Sequence, residues 1–282
     1  MALRFTPRHH ALCKALAACA VLMSGGAQVA AQVPPKMLAH YDIYMTHVRV
    51  GEITWEVDFN GQSYQAAASG KASGVFSVLI TGEGSVATHG DINGDKLSPT
   101  KVTTTVSDDE GRVEVQMAYE NGTLKQVDDH GPPPKPGRVA VTPALLRGVT
   151  DPLSAMLVPV GNDAFARANC EKTLRIFDGR RRYNLLLSYN RIDAMAVRRG
   201  YAGRVLVCGV VLRPLAGYDP DSLLVKYLAG KTDLELWFAP VAGAGVMAPV
   251  RAVMPTLIGT LELRATEFEP AEPAATSHSG PP

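Results

Sequence analysis

A short segment of the sequence places several cationic side chains beside a turn. Residues 175–183 read Arg-Ile-Phe-Asp-Gly-Arg-Arg-Arg-Tyr. Guanidinium groups bind carboxylates and phosphates through paired hydrogen bonds, so clustered arginines can form an anion-binding site. The dipeptide Asp178-Gly179 also favours a β-hairpin turn, after which apolar and polar residues alternate. The segment is therefore either a dedicated anion site or a hairpin whose arginines lie at the surface or pair with acids, and we favour the hairpin.

The hairpin interpretation predicts which side chains face each other. If Asp178-Gly179 is a two-residue turn, Arg175 lies directly across from Arg182. Like charges in that arrangement are unfavourable by a few tenths to about 1 kcal/mol unless an anion lies between them. Arg181 falls on the apolar face of the hairpin together with Tyr183. If a ligand with an anionic head binds, we expect Arg181 to contact it, with Arg175 and Arg182 as secondary contacts.

We find no recognisable catalytic or cofactor motif elsewhere in the sequence. Gly82-Glu-Gly-Ser-Val86 departs from the nucleophile elbow of serine hydrolases at its last glycine. The histidines after residue 31 form no pair separated by two or four residues, so we predict no metal site. A near-neutral formal charge argues against a nucleic-acid partner. We therefore predict a protein that is not an enzyme and needs no cofactor; a hydrolase whose residues meet only in the folded chain is the alternative.

The first 31 residues have the composition of a secretory signal peptide. Arg4, Arg8 and Lys14 precede an apolar run at residues 15–23, and Val29-Ala30-Ala31 supplies small residues before a cleavage site. We predict cleavage after Ala31 and export to the periplasm. Because three basic residues leave with the signal, the formal charge changes from +1 to −2.

The four cysteines divide between the predicted signal peptide and the mature chain. Cys13 and Cys19 lie in the signal, where Leu-Ala-Ala-Cys19 has the residue types of a lipoprotein cleavage box. Lipid attachment at Cys19 is therefore the alternative to cleavage after Ala31. Cys170 and Cys208 remain, and an even pair in an oxidising compartment predicts a disulfide. The alternative of a reactive thiol or a metal pair lacks the Cys-x-x-Cys spacing.

From residue 38 onward the sequence favours β-strands. Ile53, Trp55, Val57 and Phe59 alternate with polar residues, and Asn60-Gly61 then favours a tight hairpin. Further turn dipeptides occur at Asn93-Gly94, Glu110-Gly111, Asn121-Gly122 and Asp178-Gly179. So many turn signals at short spacing predict a large antiparallel sheet.

One segment has helical rather than strand periodicity. Thr142-Pro143 and Thr150-Asp151-Pro152 each have the residue types of a helix start, and apolar residues follow at helical spacing up to residue 157. We expect two short helices, or one kinked at Pro152, with an apolar face buried against the sheet. The predicted organisation is a single mainly β domain over residues 32–268 and a disordered tail at 269–282.

Several segments of the sequence together have a recognisable order. They are YDIYMTHVRVGEITWEV, VTDPLSAML, CEKTLRIFDGRRRYNL, VLVCGVVLRPLAGY and LELWFAPVAGAGVMAPVRAVMPTLIGTLELRATEF. In this order they resemble an uncharacterised family of bacterial envelope proteins, the domain of unknown function DUF3108. The resemblance covers roughly residues 38–268. It implies a fold similar to that of the periplasmic lipoprotein carriers, in which a long antiparallel sheet curls into a half-barrel around helices and an apolar cavity. The family implies no activity.

The large aromatic side chains of the sequence have two interpretations. Trp55 and Trp237 are either ordinary core residues or part of a cavity for an acyl chain, because a sheet that curls around a helix tends to leave an apolar groove. We predict an envelope protein that binds a lipid, a lipoprotein or another hydrophobic partner, with possible peripheral contact with the membrane. A structural scaffold with a filled core is the alternative.

The processing of the chain gives the first testable prediction. We expect the exported protein to begin at Gln32, since the basic start, the apolar run and the small residues before the cleavage site all agree. N-terminal sequencing of protein from the periplasm measures this directly. A start at Cys19 with an added acyl mass would contradict the prediction and indicate a membrane-tethered lipoprotein.

Overall fold

The computed structural model describes residues 35–72, 82–94, 96–108 and 111–269. The predicted signal peptide at residues 1–31, including Cys19, lies outside these residues. The predicted tail at 269–282 also lies outside them, apart from Glu269, which is the last residue of the final strand.

The fold is mainly β, as predicted, and its strands form one large sheet. The strands are β1 (Lys36–Met45), β2 (Val48–Asn60), β3 (Ser63–Ala72), β4 (Glu83–Asn93), β5 (Lys96–Asp108), β6 (Gly111–Glu120), β7 (Thr123–Asp129), β8 (Val158–Pro159), β9 (Thr173–Phe177), β10 (Arg182–Ala196), β11 (Arg199–Gly200), β12 (Ala202–Ala216), β13 (Leu234–Val241), β14 (Val246–Thr256) and β15 (Gly259–Glu269). Hydrogen-bonded neighbours follow the order β7-β6-β5-β4-β3-β2-β1-β15-β14-β13-β12-β10-β9. The pairs along this path are antiparallel, whereas β11 pairs with β15 in parallel.

The sheet is curled, because residues near its two edges contact each other. The tip of the β9–β10 hairpin reaches the end of β7, where the guanidinium of Arg180 donates hydrogen bonds to both carboxylate oxygens of Asp129. Gly179 at the same tip lies against Val115 of β6; a Cβ at this glycine would be 2.3 Å from a Val115 methyl group. These contacts join the two edge regions, and the predicted curled antiparallel sheet is confirmed.

Both predicted helix starts are confirmed. Residues Pro143–Leu146 form a 3₁₀ turn, and Pro152–Ala155 form a single-turn α-helix, α1. A second α-helix, α2 (Leu223–Ala229), was not predicted; it follows Ser222, whose hydroxyl accepts a hydrogen bond from the backbone N–H of Val225. Among the described residues, no helix has the length and apolar content that a membrane span requires.

The largest hydrophobic core lies on the face of the sheet that packs against α1, which we call the inner face. The alternation predicted for β2 is confirmed, since Trp55, Val57 and Phe59 are all buried there. Leu157, just after α1, is buried in the same core. The helix segment therefore packs against the inner face, where α1 contacts β3, β4, β5 and β9.

A second core lies across β12, β13 and β14 and contains the predicted disulfide. Cys170 and Cys208 are bonded, with a Cα–Cα distance of 5.4 Å, and both are completely buried. Phe238 and Met247 pack in this core. The disulfide prediction is confirmed, and the bond fixes the segment before β9 against β12.

A buried carboxyl group positions α1. The Asp151 side chain is fully buried, and its Oδ1 accepts hydrogen bonds from the backbone N–H groups of Leu153 and Ser154 and from the hydroxyl of Thr88 on β4. The Ser154 hydroxyl is in turn 2.6 Å from the hydroxyl of Tyr64 on β3. Burial raises the pKa of Asp151 against the lowering effect of these donors. The helix is thus capped by a buried carboxyl group that is harder to ionise than a carboxyl group in water.

Two substitutions at Asp151 separate the capping role from the charge. Asp151→Ala removes the acceptor and should destabilise the fold by about 1–2 kcal/mol, the usual cost of losing an N-cap. Asp151→Asn keeps the acceptor and cannot ionise. A raised folded-state pKa means that this group's favourable contribution is complete below its unfolded pKa and is lost as the pH rises through the folded value. Urea unfolding should therefore show Asp151→Asn similar to wild type near pH 4 and more stable than wild type near pH 8.

One outcome of these measurements would contradict a raised pKa for Asp151. If Asp151→Asn is as destabilising as Asp151→Ala at both pH values, then the carboxylate is ionised in the folded protein and is stabilised by its three donors.

Candidate ligand-binding site

The β9–β10 hairpin forms, but its register differs from the predicted one. Arg182 lies opposite Phe177 and Asn184 lies opposite Arg175, so the predicted pairing of Arg175 with Arg182 is wrong. The turn spans four residues, because the Asp178 carboxylate accepts hydrogen bonds from the backbone N–H groups of Arg180 and Arg181. The two-residue change in register keeps the paired strand residues on their predicted faces and separates the two like charges. Arg181, which was predicted on the apolar face, lies in the turn instead.

The three consecutive arginines have three different environments. Arg180 forms the ion pair with Asp129 described above. Arg181 is exposed, and its nearest paired acid is Asp178 at 3.9 Å. Arg182 is only 4% exposed. Sequence adjacency therefore does not make these side chains one site.

Arg182 acts as an internal hydrogen-bond donor. Its guanidinium donates to the carbonyls of Leu145, Ile176 and Tyr183 and to the side-chain oxygen of Asn184. Leu145 belongs to the 3₁₀ turn that precedes α1. The Arg182 side chain thus holds this 3₁₀ turn against the β9–β10 hairpin.

The other predicted hairpin residues are Arg175 and Tyr183. Arg175 is exposed, and Tyr183 is half-buried, with a pKa raised first of all by burial. The four predicted residues therefore lie on one hairpin but differ in burial. Arg175 and Arg181 are exposed, Tyr183 is half-buried and Arg182 is buried.

An apolar groove lies on the inner face at one end of the sheet. It has a volume of about 540 Å³ and runs across β1 to β5 and β15. Its apolar walls, among the described residues, are Ile43, Val50, Ile53, Val86, Val106 and Leu261. This end of the sheet, which we call the rim, carries the β1–β2 and β14–β15 turns. The groove was not predicted at these residues.

Small residues at inward-facing positions create the groove. Gly51, Ala68, Gly70 and Gly84 line it, and neighbouring strands place them side by side, with Ala68 opposite Trp55 and Gly70 opposite both Ile53 and Gly84. A strand position without a large side chain leaves the sheet surface uncovered. A Cβ at Gly84 would meet its nearest neighbours at 3.5 and 3.8 Å, which is ordinary van der Waals contact. This position therefore has room for a side chain that the sequence does not supply.

Trp55 is next to the groove but does not line it. Its cross-strand partner Ala68 is a groove residue, and Ile53 two positions earlier on β2 is another. Trp55 is 4% exposed, and its indole Nε1 has no hydrogen-bond partner among the described residues. The side chain is part of the core that closes the groove on the side of α1.

Trp237 of β13 belongs to the same core as Trp55 but is also in contact with charged groups. The guanidinium carbons of Arg191 and Arg251 lie 5.0 and 4.7 Å from its ring, and its Nε1 donates to Glu235 at 2.9 Å. The hydrogen bond from Arg191 is the largest influence lowering the pKa of Glu235. Trp237 is 8% exposed and, like Trp55, is a core residue that does not line the groove.

The fold and the site define a class of protein: a single curled β-sheet that is filled by a capped helix turn, carries a disulfide in its second core and has an apolar groove at one rim. A family model described as "Protein of unknown function (DUF3108)" matches residues 40–266, and the chain belongs to that family. The comparison with curated proteins and the comparison with solved structures each gave no match. Similarity to the lipoprotein carriers therefore remains a prediction.

Adjacent arginines provide a matched test of these assignments. Arg182→Gln leaves buried carbonyls without their donor and should destabilise the protein by about 2–3 kcal/mol. Arg181→Gln, the same change one residue earlier at an exposed position, should change stability by less than about 0.5 kcal/mol. Chemical denaturation of both variants measures the difference. Equal effects at the two positions would contradict the separate roles that we assign.

Proposed function

We propose that this protein is exported to the periplasm and binds a hydrophobic molecule in the groove, without catalysing a reaction. The observation that carries the proposal is the groove itself. Its volume of about 540 Å³ falls within the range of roughly 300–1,000 Å³ typical of small-molecule sites. Its walls are aliphatic, so the matching ligand is an acyl chain or a similar apolar group.

The position of the groove supports binding rather than loose surface contact. Its lining residues belong to neighbouring strands of one sheet, whose backbone is fixed by regular ladders. A site on rigid elements is already formed before the ligand arrives, which lowers the entropic cost of binding. A flat apolar surface would not supply this advantage.

The proposed compartment has two supports. The disulfide between Cys170 and Cys208 indicates a protein outside the cytoplasm, because cytoplasmic thiols are kept reduced. The sequence features of residues 1–31 add the more specific expectation of a cleaved signal peptide and a periplasmic location.

A scaffold that binds another envelope protein is the second candidate. The observation in its favour is the filled interior: Tyr64, Leu157 and the other residues around α1 are buried, and the groove occupies only one end of the sheet. A scaffold needs no bound small molecule, so the two candidates predict different contents for the groove.

Substitution at Gly84 tests ligand binding. Gly84→Leu should fill the groove and lower the affinity for the neutral apolar probe N-phenyl-1-naphthylamine by about tenfold or more, equivalent to at least 1.4 kcal/mol. Ala87→Leu is the matched control, because Ala87 is exposed on the same strand and is not among the groove residues. Probe fluorescence titrations measure both variants, and thermal unfolding confirms that each is folded.

Native mass spectrometry of protein from a detergent-free periplasmic extract gives an independent test. A reproducible added mass of lipid size that is lost in Gly84→Leu supports the proposal. A bare polypeptide mass together with equal probe affinity in wild type and Gly84→Leu would contradict it and favour the scaffold.

A further inference from the structure

Exposed aliphatic side chains are concentrated around the rim. We define the apolar rim as Val48, Leu223, Leu224, Leu257 and Ile258. Ile258 and Leu223 are 78% and 74% exposed, and the other three are between 44% and 57% exposed. Exposed apolar groups of this size at one place indicate an interaction surface.

These residues come from three parts of the chain that the fold brings together. Leu257 and Ile258 form the tip of the β14–β15 turn, and Thr46 of the adjacent β1–β2 turn donates its backbone N–H to the carbonyl of Thr260. The Tyr227 hydroxyl of α2 donates to the carbonyl of Thr256. Since Leu223 is one helical turn before Tyr227, the apolar start of α2 lies on the same side of the helix as this contact.

The composition of the β14–β15 turn is unusual for an exposed hairpin tip. Turns at the surface favour Gly, Asn, Asp, Pro and Ser, whereas this tip is Leu257-Ile258. Neither residue packs into one of the hydrophobic cores found among the described residues. The fold therefore gives these two side chains no internal role.

The charges around the apolar rim indicate what kind of partner it fits. The cations on the strands and the helix that carry it are each paired with a carboxylate: Arg49 with Asp42 and Glu52, Lys226 with Asp221, and Arg251 and Arg264 with Glu262. Paired charges give little net attraction for an anionic partner. The apolar rim therefore combines protruding aliphatic side chains with charges that balance each other. Such a surface fits a partner that has a polar layer without net charge above an apolar interior.

We infer that the apolar rim inserts into the surface of a lipid bilayer of zwitterionic headgroups. Side chains at turn tips can enter the boundary between headgroups and acyl chains while the sheet stays in water. The groove adjoins this surface, because Val50 and Leu261 line it and lie two and three residues from Val48 and Ile258. The inference does not rest on ligand binding, since a scaffold could use the same rim to reach the membrane.

The test uses protein isolated from an exporting host, with its N-terminus verified by sequencing. Wild type should co-sediment with phosphatidylcholine vesicles, with little change when salt is raised or anionic phosphatidylglycerol is added. The double variant Leu257→Ser, Ile258→Ser should lower vesicle partitioning by about tenfold or more, since each buried methylene group contributes to insertion. Probe affinity in the groove should stay unchanged, which separates this result from the proposed function.

Two further variants make the outcome specific. Ile192→Ser removes a side chain that is 37% exposed on β10, away from the rim, and should bind vesicles like wild type. Ile258→Trp should show a blue-shifted indole emission on vesicles and quenching by brominated phosphatidylcholine, because the ring leaves water.

Several results would overturn the inference. Wild type that stays in solution with all vesicles contradicts it, as does equal binding by the Leu257→Ser, Ile258→Ser variant. Binding that requires anionic lipid and disappears with salt would indicate electrostatic adsorption instead. A wild-type dimer in light scattering that the double variant loses would identify the apolar rim as a contact between two copies of this chain.

Discussion

The fold depends on a carboxyl group that is kept away from water. Asp151 caps α1 inside the curled sheet and hydrogen-bonds to Thr88 on β4, while Ser154 on the same helix turn contacts Tyr64 on β3. A single helical turn has little stability of its own. These polar contacts hold the helical turn in one position among apolar side chains. The surrounding strands can then pack their apolar side chains against it.

The groove exists because this filling stops short of the rim. Toward α1, large side chains such as Trp55 and Tyr64 cover the inner face, whereas Gly51 and Gly70 leave it bare farther along the same two strands. Glycine weakens a strand and leaves nothing to pack. The sheet is therefore less stable at this end than it would be with larger side chains, and the space that results is the candidate binding site.

Local sequence signals predicted much of the fold. The turn dipeptides gave the antiparallel sheet, the proline-marked starts gave both helical turns before β8, and the cysteine pair gave the disulfide. The register at Asp178-Gly179 was wrong because the Asp178 carboxylate binds two backbone N–H groups and enlarges the turn, a choice that a dipeptide does not reveal. The start of α2, which was not predicted, has one local signal, because Ser222 is a residue type favoured at helix N-caps.

The candidate site was harder to predict, for a physical reason. A groove formed by absent side chains depends on which glycines become neighbours, and that depends on the pairing of strands far apart in sequence. Leu261 of β15 shares the groove with Ile43 of β1 only because these strands are adjacent. The consecutive arginines are neighbours in the sequence but do not share one environment in the structure. Arg182 is buried, while Arg181 remains at the surface.

The strand order also constrains the sequence of events as the chain is made. Strands β1 to β7 form one meander, and β9, β10 and β12 to β15 form another. The first and last described strands, β1 and β15, pair at the seam between them. A chain emerging from its N-terminus therefore presents one side of β1 unpaired until the final strand has been delivered. Unpaired strand edges promote association with other chains. The interval between the first strand and the last is thus the period in which this protein is most exposed to misassembly.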